Sequence, residues 1–282
     1  MILVTGANGF LGSFLVDKLL SAGYEVIAAG RSELNVLDKE SVDKMFNNNN
    51  IEYVIHTAVR GGRRTRPDEY IDFYENILMF ENLAANRDKF KLMFNFCSGA
   101  AFDRAKSIDK VKEINIPTLT PADFYGLSKN VIAKRIQGID DNIVNLRIFN
   151  CFGETELPDR MIKASCLRHL HHDEMIVYTN KKMDFFYIED LYLVVKHYLE
   201  NFSRELPTDM NLCYEQKIDL IGVTGLIMTL TGRSNSVKLI DEVNGRSYTG
   251  DPTKLSSLDI KLYGLESGIL KVYKFLQGIK YE

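Results

Sequence analysis

Tyr125 and Lys129 stand four residues apart in the run Tyr125-Gly126-Leu127-Ser128-Lys129, a spacing that puts both side chains on one face of a helix. An ammonium beside a phenol favours the phenolate, drawing the tyrosine pKa down from about 10 and making the hydroxyl usable as an acid or base near neutrality. The spacing alone is weak, since Tyr178/Lys182 and Tyr192/Lys196 repeat it. What separates the first pair is Ser98, at the end of an expected strand over Leu92–Phe96, because ligands of open parallel sheets sit at the carboxyl ends of strands.

A second constellation opens the chain. Thr5-Gly6-Ala7-Asn8-Gly9-Phe10-Leu11-Gly12 follows an expected strand and begins an expected helix, the context a dinucleotide fingerprint requires. Gly6 permits the tight turn, Gly9 lets the backbone approach a pyrophosphate, and Gly12 lets helix and strand pack. Asn8, Phe10 and Leu11 complete the expected cofactor cradle, with the helix N-terminus facing the anion. The second strand ends Ala28-Ala29-Gly30-Arg31-Ser32, without a carboxylate until Glu33. NADP(H) is therefore expected over NAD(H), with Arg31 and Ser32 on the 2′-phosphate; a merely solvated Arg31 is the plainer alternative.

The elements that must position these residues alternate. Strands are expected at Ile2–Val4, Glu25–Ala29, Tyr53–His56, Leu92–Phe96 and Ile143–Ile148, and helices from Phe10, after the N-cap Asp38, over Asp68–Asn86 and over Pro121–Ile136. That order predicts an α/β fold with a doubly wound parallel sheet of the Rossmann type. Beyond Asn150 the pattern loosens into a helix near Pro158–His169, strands at Met175–Tyr178 and Val237–Ile240, and helices over Gly222–Leu230 and Ser267–Leu276. The expected division is a cofactor domain over 1–155, to which 184–203 returns, and a smaller mixed α/β substrate lobe over 156–183 and 204–282.

The 282 residues carry 35 Lys+Arg against 38 Asp+Glu, a net charge of −3, which argues against a nucleic-acid partner. No apolar run is long enough to cross a membrane, and Met1-Ile2-Leu3-Val4 reads as a strand without a signal sequence ahead of it. Cys97, Cys151, Cys166 and Cys213 form no CxxC pair, so reduced thiols in the cytoplasm are expected. His169, His171 and His172 sit at a helix end beside Asp173 and Glu174, where the dipole accommodates them, and no metal is expected.

Taken in order, TGANGFLG, His56-Thr57-Ala58, Asn76, Ser98, Tyr125/Lys129, Asn150-Cys151-Phe152-Gly153 and Asp184-Phe185-Phe186-Tyr187-Ile188-Glu189-Asp190 resemble the extended short-chain dehydrogenase/reductases, the NAD(P)-dependent nucleotide-sugar epimerases, dehydratases and reductases. Arg31–Asp38 and Gly250–Leu255 are similar to the GDP-fucose synthase branch. The resemblance implies that Ser98, Tyr125 and Lys129 are catalytic, and that Asn35, Val36, Ala58, Arg60, Asn76 and Lys129 join the cofactor site. Asn150, Lys163, Arg168, Arg246 and Lys254 are candidates for the substrate diphosphate beside Ser98 and Tyr125. Arg63, Arg64 and Arg66 extend a basic cluster after Arg60 that reads equally well as a solvated loop.

The departures from the pattern bear on the reaction. Gly99-Ala100-Ala101 follows Ser98 where dehydratases carry a Thr-Asp/Glu pair. Ala100 and Arg160 stand where the epimerising branch implies a Cys and a His, and Met183 replaces the usual Arg. What survives moves a hydride and one proton, which implies an NADPH-dependent reductase of a nucleotide-linked 4-keto-deoxysugar. A 4-epimerase that retains NAD(P), and a non-catalytic NADP-binding sensor or scaffold, are the alternatives. The resemblance also implies a homodimer through the helices near Tyr70–Asn86 and Asp123–Ile136, where Phe73, Ile77 and Phe80 read as either surface or core.

Overall fold

In the computed structural model, which describes residues 1–62, 66–138, 142–203 and 205–278, the chain divides into two compact units. One comprises Met1–Ala105, Lys112–Arg147 and Phe202–Asn211; the other comprises Lys106–Val111, Ile148–Asn201 and Leu212–Glu282.

The first unit is built on a six-stranded sheet. Strands β1 (Ile2–Thr5), β2 (Val26–Ala29), β3 (Tyr53–His56) and β4 (Leu92–Ser98) are joined by Ile143–Ile148 and Asp209–Leu212. The order across the sheet is 209–212, 143–148, β4, β3, β1, β2. β1 pairs in parallel with β2 and β3, and β3 with β4. Helices α1 (Phe10–Ser21), α2 (Lys39–Asn48), α3 (Tyr70–Ala84) and α4 (Phe124–Ile136) alternate with the strands. β1, β4 and 143–148 are buried along their whole length, as parallel strands covered on both faces must be. The chain leaves β1 for β2 on one side and returns as β3 on the other, which opens a crevice outside the carboxyl ends of β1 and β3.

Leu3, Val54 and Met93 from the sheet pack with Val42, Phe46, Phe80, Leu83 and Ile132 from α2, α3 and α4. Phe80 is therefore core, while Tyr70, Ile71, Tyr74 and Phe124 are the exposed apolar side chains of α3 and α4. Asp38 caps α2 by accepting the Glu40 N–H, as its residue type implies. A reciprocal Glu69/Asp72 capping box starts α3.

The second unit is mixed. Residues 218–219, 182–183, 248–250 and 108–111 form a four-stranded sheet in that order, and 175–179 pairs in parallel with 237–241. Helix α5 (Met161–Leu170) packs against helices 220–231 and 264–276. Ile108–Val111 and Asp209–Leu212 are strands that periodicity did not reveal. Each has only four residues and takes its partners from distant parts of the chain.

Candidate active site

Gly6 turns the chain out of β1 at φ +70, and a Cβ there would stand 2.6 Å from the Ala58 nitrogen. One on Gly12 would stand 2.2 Å from the Gly6 carbonyl oxygen. Only glycine fits either place, so the ends of β1 and β3 meet main chain to main chain at the crevice. α1 begins after Gly9 with no side-chain cap and no acidic residue in its first turn. The first N–H groups, those of Phe10, Leu11 and Gly12, and the positive end of the helix are thus open to an anion. This cradle fits a dinucleotide pyrophosphate. Thr5 Oγ1 bonds His56 Nδ1 at 2.8 Å, and Thr57 Oγ1 donates to the Thr5 carbonyl at 2.7 Å, which locks the two strand ends together. Burial, followed by the charge of Lys129, lowers the His56 pKa to about 3, so the imidazole is neutral.

At the end of β2 the structure adds a residue that sequence reasoning passed over. Glu33 folds back so that Oε2 accepts the Gly30 N–H at 2.8 Å and Oε1 accepts the Ser32 hydroxyl at 2.5 Å. The Ser32 bond, then the Gly30 bond, hold its carboxyl below the usual range. Arg31 and Asn8 are exposed beside it. Asn35 turns its side chain onto the Leu37 N–H, and Val36 is buried, its carbonyl taking the Asn82 amide.

Ser98 closes β4 and caps a short turn over Gly99–Phe102, its Oγ accepting the Ala100 N–H at 3.2 Å. That turn is wholly buried. α4 starts at Asp123, whose side chain accepts the Gly126 N–H at 2.8 Å, and Asn130 ties the helix to the Ala101 carbonyl at 2.9 Å. These contacts bring Tyr125 and Lys129 to Ser98. The Ser98 hydroxyl hydrogen-bonds the Tyr125 phenol, and Lys129 Nζ donates to the Phe96 carbonyl at 2.8 Å, 5.9 Å from the centre of the Tyr125 ring.

The expected lowering of the tyrosine pKa is not what the structure gives. Burial pushes Tyr125 up to about 12, against the opposing Ser98 hydrogen bond. Lys129, itself lowered by burial, has its hydrogen bond on the main chain, and the Ser98 bond and the Arg104 charge do not offset the burial of the phenol. Tyr125 is thus a neutral donor, suited to giving a proton to an oxygen that becomes negative.

The segment after β3 is held by α3. Asn76 accepts the Arg60 N–H at 2.9 Å and donates to the Arg60 carbonyl at 2.9 Å and to Ser128 Oγ at 3.1 Å. Ser128 in turn donates to the Tyr125 carbonyl at 2.7 Å. Asn76 therefore anchors the loop next to Tyr125, with its amide fully engaged. The two described arginines of the basic cluster are neutralised locally. Arg60 pairs with Asp72 at 2.9 Å and Glu75 at 2.8 Å, and Arg66 with Asp72 at 2.6 Å. Asp72 is buried, and Arg66 above all holds it well below the carboxylate range. Arg63 and Arg64 lie outside the described residues.

Among the substrate candidates of the second unit, Asn150 donates to the Asp184 carbonyl at 2.9 Å. Lys163 donates to the Glu154 and Glu156 carbonyls at 2.8 and 2.7 Å. Arg168 reaches the Glu174 carbonyl at 3.3 Å, Arg246 is exposed, and Lys254 lies half-buried in the short helix Thr253–Ser256. His169 is buried, bonded through Nε2 to Thr231 Oγ1 at 2.7 Å. Tyr178 is 72% exposed on a strand, so its pairing with Lys182 is incidental.

A parallel sheet with a glycine cradle at its switch point and a Ser98/Tyr125/Lys129 cluster beside it defines a dinucleotide-binding α/β enzyme class. The chain belongs to the NAD dependent epimerase/dehydratase family, which matches residues 2–213. It is 29% identical over 221 residues, 68% of this chain and 70% of the other, to the provisionally named UDP-glucose 4-epimerase of Methanocaldococcus jannaschii. Among solved structures it is similar to a GDP-mannoheptose C4 reductase from Campylobacter jejuni with NADP bound, at TM-score 0.81 and 20% identity, covering 98% of both chains. A UDP-glucose 4-epimerase from Thermotoga maritima with UDP-glucose gives TM-score 0.78 and 21% identity, again over 98% of both. The family's description names NAD, and the relatives above are named for UDP- and GDP-linked sugars.

Proposed function

We propose that the protein is an NADPH-dependent reductase of a nucleotide-activated 4-keto-deoxysugar. The observation that carries this reading is the proton inventory around Ser98. The turn after it is buried Gly99, Ala100 and Ala101, and the Cys97 thiol is directed at the Ser98 and Lys129 carbonyls. Among the described residues of the first unit, the cluster thus offers Tyr125 as its proton donor, Ser98 as the group that orients the phenol and Lys129 as the cation. The glycine cradle after β1 would hold NADPH, whose chemistry there would be hydride donation to the sugar C4. Tyr125 gives its proton to the oxygen as charge develops there, Ser98 holds the same oxygen, and Lys129 binds the nicotinamide ribose. Among the described residues of the first unit, the Ser98 turn itself, Gly99–Phe102, carries no side chain able to make a second proton transfer, so the reading is reduction without epimerisation at neighbouring carbons.

The likeness to a structure named as a C4 reductase supports this reading. On the same reading Arg31 and Ser32 take the 2′-phosphate. The substrate diphosphate falls to the second unit, with Asn150, Lys163, Arg168, Arg246 and Lys254 as its candidates. The exposed Tyr70, Ile71, Tyr74 and Phe124 form a homodimer face, to be checked by light scattering. The four free cysteines and the absence, among the described residues, of a helix able to cross a membrane fit the cytoplasm.

The test is purified protein with GDP- or dTDP-4-keto-6-deoxyhexose and NADPH, followed by NADPH absorbance. Stoichiometric oxidation is expected, and none with any such sugar overturns the reading. A second reading, a 4-epimerase with retained NAD, is favoured by the Glu33 carboxylate at the end of β2. Its mark is interconversion of a UDP-hexose without net cofactor consumption.

A further inference from the structure

We propose that Arg104 is a positioning residue for Tyr125, its guanidinium locking the glycine turn after β3 and the start of α4 together around the phenol ring. Arg104 lies just beyond the Gly99–Phe102 turn. Its Nε and Nη2 take both oxygens of Asp123, at 3.1 and 2.9 Å, and Nη2 also takes Asp68 at 2.7 Å. Each of these carboxylates holds one wall of the tyrosine site. Asp123 caps α4 through the Gly126 N–H at 2.8 Å, one residue past Tyr125. Asp68, whose side chain is only 6% exposed, accepts the Gly62 N–H at 2.6 Å.

Gly62 lies flat on the ring, since a Cβ on it would stand 2.9 Å from Tyr125 Cε2 and Cζ. The guanidinium itself is 5.7 Å from the ring centre, within reach of a cation–π contact. A bidentate guanidinium fixes direction as well as distance, and here it joins two acidic groups that would otherwise repel each other. Removing it frees Asp68 and Asp123 to separate, Gly62 to lift and the phenol to leave its line to Ser98. Its positive charge also stabilises the phenolate, so the same residue adjusts the donor it aligns.

The proposal rests on the reading of Tyr125 as the proton donor, and its test separates the two. Arg104→Gln, Arg104→Lys and Asp68→Asn are compared with wild type for kcat, for NADPH affinity by cofactor fluorescence, and for the 13C ring resonance of Tyr125, assigned by its loss in Tyr125→Phe. A small displacement of a reacting group costs up to about 10²-fold in rate. The expected result for Arg104→Gln is a kcat reduced by about 10-fold or more, an unchanged NADPH Kd and a shifted Tyr125 resonance. Arg104→Lys recovers part of kcat, because it restores the charge without the fork. Should Arg104→Gln fail to fold, Asp68→Asn, which keeps the guanidinium on Asp123, reads the same resonance. A wild-type resonance in the folded variants, or a kcat loss matched by equal losses of NADPH binding and melting temperature, overturns the proposal. A wild type that reduces no keto-sugar overturns the functional reading alone, since the resonance needs no substrate.

Discussion

Lys129 Nζ bonds the Phe96 carbonyl at 2.8 Å while standing 5.9 Å from the centre of the Tyr125 ring. The lysine is thereby fixed to β4, and burial governs the phenol. Because the Tyr125 pKa is raised to about 12, its proton stays on throughout the working range. Tyr125→Phe is expected to lower kcat for keto-sugar reduction by about 10²- to 10⁴-fold with NADPH binding retained. The wild-type kcat should show no Tyr125-dependent fall between about pH 6 and pH 9. Steady-state rates across that range check both; a basic limb near neutrality that the Phe variant lacks would contradict the assignment.

Glu33 occupies the Gly30 N–H and the Ser32 hydroxyl, two donors that a 2′-phosphate would use. A carboxylate on those donors repels the phosphate, whereas a ribose hydroxyl can donate to it. Glu33→Gln is therefore expected to tighten NADPH severalfold relative to NADH, as measured by fluorescence titration of both cofactors. An unchanged ratio would mean that the side chain swings clear when the cofactor binds.

Much of this was legible beforehand. Three glycines after a strand and a tyrosine–lysine pair on a helix are local patterns, and both fell in the expected places. Tyr53–His56 and Ile143–Ile148 matched the observed strands residue for residue, because short segments rich in β-branched and aliphatic residues between turn signals leave little choice, even with Asn145 and Arg147 inside the second. What could not be read was the direction of the tyrosine shift, which depends on burial and on where the lysine points. The Arg104 clamp was hidden as well, since Asp68 and Asp123 meet it only after folding. One missed strand did leave a trace. Ile-Val-Asn-Leu-Arg-Ile sets Arg147 in a wholly buried strand, and such a charge demands a nearby carboxylate, which Asp209 provides from the sheet edge.

Arg147 is fully buried, donating to Asp209 at 2.8 Å and to Asn211 at 3.1 Å, with its guanidinium 4.9 Å from the Phe102 ring centre. Removing the carboxylate would strand this charge inside the sheet. Asp209→Ala is expected to lower stability by about 3–5 kcal/mol, measured by denaturant unfolding. Arg147→Met removes both the charge and its need for a partner, so it should be milder; a more damaging Arg147→Met would show that the guanidinium itself holds the strand.

Glu156, at 4% exposure, has no hydrogen-bond partner for Oε1, and burial, opposed by Arg160 and Lys163, raises its pKa to about 8. The unfolded chain gives up this proton near the ordinary 4.5, whereas the folded chain keeps it until about pH 8. Stability from this group is thus complete below the unfolded pKa and is lost progressively as pH rises through that window. Glutamine mimics the protonated acid, can still accept the Lys163 N–H and does not titrate. Glu156→Gln should match wild type at pH 5 and melt higher by pH 8, with a difference of about 3–4 kcal/mol. Melting curves at a series of pH values decide this, and a variant that melts no higher than wild type at pH 8 would mean that Glu156 is ionised in the fold, with its neighbouring cations outweighing burial.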